Sequence, residues 1–212
     1  MSVYLDNAAT SFPKPKTVIE AAERVLEGVG ASPGRGAHRY AREAMAIVSD
    51  CRQKAAAILG VKDPDRVVFT KNATESINLV LKGWLRPGDR VLYSAMEHNS
   101  VARPLRKLAS QGVNIEVIPC NPGGVLDLGV LAQMLRSEAR LVVLVHVSNI
   151  NGALMPIAEV SEVCARARVP LFLDAAQSAG VQPIQAEELG LECSPVPDTR
   201  VCLDPLGSAF ST

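Results

Sequence analysis

Arg140-Leu-Val-Val-Leu-Val-His-Val147, the stretch Pro156 to Arg166, and Pro170-Leu-Phe-Leu-Asp174 together decide the fold of this chain. The first run is apolar and largely β-branched, the mark of a strand buried on both faces. The second has helical spacing, with a proline in its first turn, where a missing N–H does no harm. The third is a short strand that ends on a carboxylate. Two continuously apolar strands joined by a helix form a parallel βαβ unit, because parallel neighbours need a crossover that lies on a sheet face.

The same alternation extends toward the N-terminus. Strands are expected at Arg66 to Thr70, Arg90 to Ser94 and Asn114 to Ile118, with helices at Thr74 to Gly83, Val101 to Ser110 and Leu126 to Arg136. A longer helix, Ala41 to Leu59, closes on Gly60 as its C-cap. Before it lie a loop rich in Gly and Pro, Gly28 to Gly36, and a helix over Thr17 to Glu27 with Val18, Ala21, Ala22, Val25 and Leu26 on one face. The expected class is α/β, a three-layer αβα arrangement around a mainly parallel sheet. In such sheets the site lies in the loops at the carboxyl ends of the strands. After Glu192 the pattern breaks. Pro195, Pro197 and Pro205 and the lack of any period make residues 193–212 an atypical tail without an element.

Composition narrows the partners. Among 212 residues, 22 basic side chains balance 22 acidic ones, so no net field draws nucleic acid or an anionic membrane. With 48% hydrophobic and 21% charged residues, the chain is globular rather than disordered. The longest apolar run, Leu141 to Val145, is far too short to span a bilayer, and the first residues resemble no export signal. Five cysteines without metal-ligand spacing point to reduced thiols, no metal and a cytoplasmic setting. No dinucleotide, P-loop, zincin or hydrolase-elbow motif occurs.

The polar residues that follow the strands form a coherent set. Lys71-Asn72-Ala73-Thr74-Glu75-Ser76 opens a helix with small and hydroxylated residues; it suits a phosphate, or is a plain N-cap. His98, in Glu97-His-Asn-Ser100, either stacks on a flat ring and moves a proton or caps the next helix. His146, inside an apolar strand, is expected as a hydrogen-bonded core residue, whereas Asn149 stands where the strand opens into its loop and can bond a ligand. Asp174 directly follows a buried strand, which is costly unless the carboxylate meets a cation or several donors. It either holds a protonated pyridine nitrogen or caps a following helix. Arg35-Gly-Ala-His38-Arg39 is a small basic cluster that binds an anion or is simply a solvated loop.

Taken together, these segments resemble the cysteine desulfurase and selenocysteine lyase branch of the class V aminotransferases, which are fold-type I pyridoxal-phosphate enzymes. The matching stretches are Leu5-Asp-Asn-Ala-Ala-Thr10, Ser32-Pro-Gly-Arg-Gly-Ala-His38, Thr70-Lys-Asn-Ala-Thr-Glu-Ser-Ile-Asn78, Glu97 to Ser100, Ser148-Asn149 with Gly152, and Asp174-Ala-Ala-Gln-Ser178. They stand in the family's order from the start of the chain to about Glu192. The resemblance implies pyridoxal 5'-phosphate as cofactor, with Ala73 and Thr74 at its phosphate. It implies that His98 lies on the ring and shuttles protons, Asn149 near the ring hydroxyl and substrate carboxylate, Asp174 at the ring nitrogen and Gln177 on the ring hydroxyl. Asn7 and Arg35 would border the substrate. The implied reaction takes sulfur from L-cysteine, leaving L-alanine and a persulfide on an enzyme cysteine. A homodimer and a sulfur-acceptor protein are the implied partners.

One departure bears on activity. The family's Schiff-base lysine follows the aspartate by roughly two dozen residues in a Ser-Gly-His-Lys type segment. Here lysines stand only at 14, 16, 54, 62, 71, 82 and 107, and near the expected place is Arg200, which supplies no neutral amine. Cys193 and Cys202 lie in the wrong context to accept sulfur. Residues 1–192 are therefore expected to be the N-terminal part of the cofactor-binding large domain. Residues 193–212 are expected to be an out-of-frame or truncated end, and the chain alone is expected to be inactive. The alternatives are another class V aminotransferase or lyase, and a non-catalytic fragment that binds pyridoxal phosphate or a partner.

Overall fold

The computed structural model describes residues 3–7, 9–193 and 201–203. The chain divides into two compact units, residues 1–54 and 55–212. In the first unit, the Tyr4 hydroxyl donates to the carbonyls of Asp6 and Thr10 at 3.0 and 2.9 Å. Helix α1 (Lys16–Arg24) continues into a single π-type turn, Val25–Val29, which Gly30 ends in the left-handed region at φ 46°. Helix α2 (Arg39–Leu59) carries the i,i+4 pairs Arg39–Glu43 and Lys54–Asp50 on its exposed surface. Such pairs contribute only a few tenths of a kcal/mol each, so they support the helix without deciding it.

In the second unit five strands form one all-parallel sheet. They are β2 (Arg90–Ser94), β3 (Asn114–Ile118), β4 (Leu141–Val145), β5 (Leu171–Asp174) and β6 (Leu191–Cys193), in the spatial order β3-β2-β4-β5-β6. The crossovers are the helices α4 (Asn99–Ala109), α5 (Leu128–Met134) and α6 (Ile157–Ala167), and α3 (Ala73–Trp84) precedes β2. Strand β4 runs through the middle and all five of its residues are buried. Alternate side chains feed two cores. Leu141 and Val143, with Phe172 of β5, pack with Ile77, Val80 and Leu81 of α3 and with Val101, Leu105 and Leu108 of α4. Val142 and Leu144, with Leu171 and Leu173 of β5, pack with Leu59, with Leu131 of α5 and with Val160 and Cys164 of α6. Each fully buried Leu, Val or Phe contributes about 1.5–3 kcal/mol of transfer free energy, and covering both faces is what permits an all-parallel sheet. The three-layer α/β class expected from the alternation is the observed one.

Gly60 ends α2 as expected, at φ 65°. A Cβ there would come within 2.8 Å of the Gln185 Cα, so both the backbone and the close approach require glycine. Two features depart from the sequence reading. Strand β1 (Val67–Phe69) stands outside the parallel sheet, and Val201–Leu203, read as featureless tail, forms β7 and pairs with it antiparallel, Val67 opposite Leu203. Leu191–Cys193 likewise adds β6 to β5 across a register irregularity. Three-residue strands are too short to show a period, and their pairing is decided by the unpaired amides of the neighbouring edge. The remainder of the expected tail, residues 194–200 and 204–212, lies outside the described residues.

Candidate active site

The carboxyl ends of the strands gather most of the expected residues. After β1, Asn72 caps α3: its Oδ1 accepts from the Glu75 amide at 2.9 Å, and the Glu75 carboxylate in return accepts from the Lys71 amide. The two readings of this segment are therefore compatible. The N-cap is made by Asn72, and the amides of Ala73 and Thr74 keep no acceptor among the described residues. Free donors at the positive end of a 12-residue helix are suited to a phosphate.

Thr74 and His98 line one cleft of about 420 Å³, together with Lys82, Arg103 and Lys107. His98 is the N-cap of α4. Its Nδ1 accepts from the Ser100 amide at 3.1 Å and lies 2.8 Å from the Ser100 hydroxyl. An accepting Nδ1 assigns the neutral ring its proton on Nε2, and two contacts at one nitrogen fix the ring's direction. The capping role is the one present, and it leaves the imidazole itself exposed.

Asp174 closes β5, only 2% exposed. Its Oδ1 accepts from the Ala176 amide at 3.0 Å, and no lysine or arginine pairs with it among the described residues. Burial holds its carboxyl above the usual carboxylate range, the Ala176 amide and the nearby His98 partly opposing. The segment that follows is a series of turns rather than a helix, so Asp174 caps no helix. A buried carboxyl with one donor and no cation is a place where a protonated ring nitrogen fits. Asn149, in the turn after β4, and Gln177, in the turn after Asp174, are exposed. Neither side-chain amide has a hydrogen-bond partner among the described residues, so both are free for a ligand.

His146 is the core residue the sequence implied, 3% exposed, with Nδ1 2.8 Å from the Ser178 hydroxyl and its affinity for a proton lowered by burial. Asn7 and Arg35 belong to the first unit. Asn7 Oδ1 accepts from the Phe12 amide at 3.1 Å, and Arg35 lies exposed in the loop before α2, without an ion pair among the described residues. No cluster of three or more His, Cys, Asp or Glu side chains suited to a metal ion occurs among the described residues. None of their helices is long and apolar enough to cross a membrane.

One residue escaped the sequence reading although it was quoted with its neighbours. Glu97 is tucked under the loop that carries His98. Its Oε1 accepts from the Ser94 hydroxyl at 2.6 Å and from the Val145 amide at 2.7 Å, and its Oε2 is buried without a partner. Burial, with a smaller push from Asp174, raises the carboxyl to about 8 against the opposition of those hydrogen bonds. The available signal was an acidic residue three positions after a fully buried strand end.

The fold and this site define a class: an α/β protein whose strand ends combine free helix-start amides, an oriented imidazole and a buried carboxyl with no cation paired to it among the described residues. The chain belongs to the class-V aminotransferase family, which matches residues 3–193 and whose members depend on pyridoxal phosphate. It is 32% identical over 209 residues to a probable cysteine desulfurase of Methanothermobacter thermautotrophicus, which covers 98% of this chain and 52% of that protein. It is also 32% identical over 206 residues to a cysteine desulfurase of Haloferax volcanii, covering 94% and 48%. Among solved structures, the apo cysteine desulfurase of Thermococcus onnurineus matches with a TM-score of 0.86 at 32% identity, over 92% of this chain and 49% of that one. A NifS-like protein with a TM-score of 0.89 and 24% identity, over 98% and 60%, shares the fold. The chain spans about half the length of the curated relatives it matches.

Proposed function

We propose that this chain is the cofactor-holding part of a pyridoxal-phosphate-dependent cysteine desulfurase, which takes sulfur from L-cysteine and leaves L-alanine and an enzyme persulfide. The observation that carries the reading is Asp174, a buried carboxyl with no cation paired to it among the described residues. When bound, the cofactor supplies an electron sink for the negative charge that develops on the substrate's carbon. The amides of Ala73 and Thr74, with the Thr74 hydroxyl, bind the phosphate. His98, its direction set by Ser100 at Nδ1, would lie against the ring and hold or move a proton at Nε2. Asp174 holds the proton on the ring nitrogen. Gln177 bonds the ring hydroxyl, and Asn149 the hydroxyl and the substrate carboxylate. Residues 1–192 are the N-terminal part of the cofactor-binding domain, and the full protein is a cytoplasmic homodimer that passes sulfur to an acceptor protein. The thiols of Cys51, Cys120 and Cys164, which form no disulfide, accord with a reducing setting.

No lysine follows Asp174 within the 212 residues. That single feature favours holding over turnover for this chain alone, because the amine that would bond the cofactor covalently is not among its residues. The test uses pyridoxamine 5'-phosphate, which carries ring, hydroxyl and phosphate but no aldehyde for surface lysines to capture. Calorimetric titration of the 212-residue chain is expected to give saturable binding that Asp174→Ala weakens at least tenfold. The chain is expected to release no sulfide from L-cysteine. Absent binding, or binding indifferent to Asp174, overturns the reading.

A further inference from the structure

In the parallel sheet, the amides of Val142 and His146 donate to the Pro170 and Asp174 carbonyls on the β5 side. Alternation along β4 therefore turns the Val145 amide to the opposite side, toward β2. But the pairing of β2 with β4 stops at Tyr93 opposite Val143, and the carbonyl of Ser94, the last residue of β2, accepts from the Glu97 amide instead at 3.4 Å. The Glu97 Oε1 takes that place at 2.7 Å, while also accepting from the Ser94 hydroxyl at 2.6 Å. Glu97 thus bridges the end of one strand to the end of the next, and the residue after it is His98. The Val145 backbone is itself in register with Asp174.

We propose that Glu97 is a positioning residue that acts through His98 and Asp174, a neutral carboxylic acid standing in for a strand carbonyl so that the His98 loop is clamped to β4 beside the carboxyl of β5. The inference rests on the cofactor reading above and adds to it a residue that does not touch the ligand. Oε1 does the clamping as an acceptor, and the proton resides on Oε2, the buried oxygen without a donor partner. An ionised Oε2 would be a desolvated charge with nothing to offset it, a few kcal/mol or more. The titratable groups that face Glu97 are Asp174 at the end of β5, Cys120 beyond the end of β3 and His98 in its own loop. None is a fixed cation, so nothing there pays for a second negative charge. With Glu97 neutral, the strand ends present one carboxylate, Asp174, and a ring proton has one place to reside.

Two measurements on the full 212-residue chain test this. The infrared difference between wild type and Glu97→Gln at pH 7 is expected to show the carbonyl stretch of a protonated carboxyl in the wild type only. A missing band overturns the proposal. In titrations with pyridoxamine 5'-phosphate, Glu97→Ala is expected to weaken binding at least tenfold, and Glu97→Gln to restore it to within about twofold. Gln keeps the Oε1 acceptor and places an N–H group where the acid carries its proton. A Gln variant as weak as Ala overturns the proposal, because a structural filler would not distinguish an acceptor from its absence in this way. Should Ala fail to fold, the Gln arm and the band still decide. If the wild type takes up no pyridoxamine phosphate, the cofactor reading fails by itself, and the band alone judges whether Glu97 is the neutral clamp.

Discussion

Replacing Glu97 with Gln should make the chain more stable at pH 8, and the size of the gain follows from the site. A carboxyl that sits at 4.5 in the unfolded chain and is raised to about 8 by burial binds its proton more tightly in the folded state. Below pH 4.5 both states are protonated and folding gains the full benefit of the neutral group. As pH rises from there toward 8, only the unfolded state loses the proton, so stability falls throughout the interval and levels off above about 8. At about 1.4 kcal/mol per pH unit, the interval gives at most on the order of 5 kcal/mol, a large share of the ~5–15 kcal/mol that holds a domain together. Gln carries no titration, so the difference between the two proteins isolates Glu97 from groups that titrate in both. Glu116 and Glu187, held low by Arg90 and Lys62, act in the opposite sense and cancel in that difference. Guanidinium unfolding of wild type and Glu97→Gln at half-unit steps from pH 4.5 to 8.5 measures it. The curves should converge at the acid end, and the Gln variant should be ahead by several kcal/mol at the basic end. Parallel curves, or a Gln variant that is weaker at pH 8, would refute the reasoning.

Two further outcomes follow from the fold. Phe172, fully buried in the middle of the sheet among Ile77, Leu81, Leu105 and Val143, leaves a cavity when cut back, and Phe172→Ala should cost about 3–5 kcal/mol in the same denaturation assay. Asn72→Ala removes the acceptor of the Glu75 amide at the start of α3. It should cost about 1 kcal/mol of stability and weaken pyridoxamine phosphate binding while leaving pyridoxamine itself unaffected, since the loss sits at the phosphate end.

The sequence carried the architecture well because its pattern is dense. Strand Arg90 to Ser94 and strand Asn114 to Ile118 begin and end where expected, and β4 and the helices fall within a few residues of their expected bounds. A run such as Leu-Val-Val-Leu-Val has one good solution, burial on both faces of a parallel sheet, and the helices that must cover it are spelled out in their own spacing. The loops at the strand ends were legible for the same reason, since strand ends identify themselves once strands do. At the α3 start and at His98 the capping alternative is the one the fold displays, and it is compatible with the ligand reading because a capping atom and a ligand donor are different atoms.

What the linear pattern by itself determined, then, is the α/β class, the covered sheet and the set of polar residues brought to its carboxyl end, all consequences of periodicity and of apolar surface seeking cover. Only the tertiary structure decided which edges the short strands joined, as with Val201–Leu203 on β1, and what Glu97 is for. Its acceptor role exists because the pairing of β2 with β4 stops two residues before Val145, and its protonation follows from burial at the strand ends beside Asp174. Neither the length mismatch between neighbouring strands nor the loss of water around a carboxyl is written in any local spacing; both arise when distant segments meet.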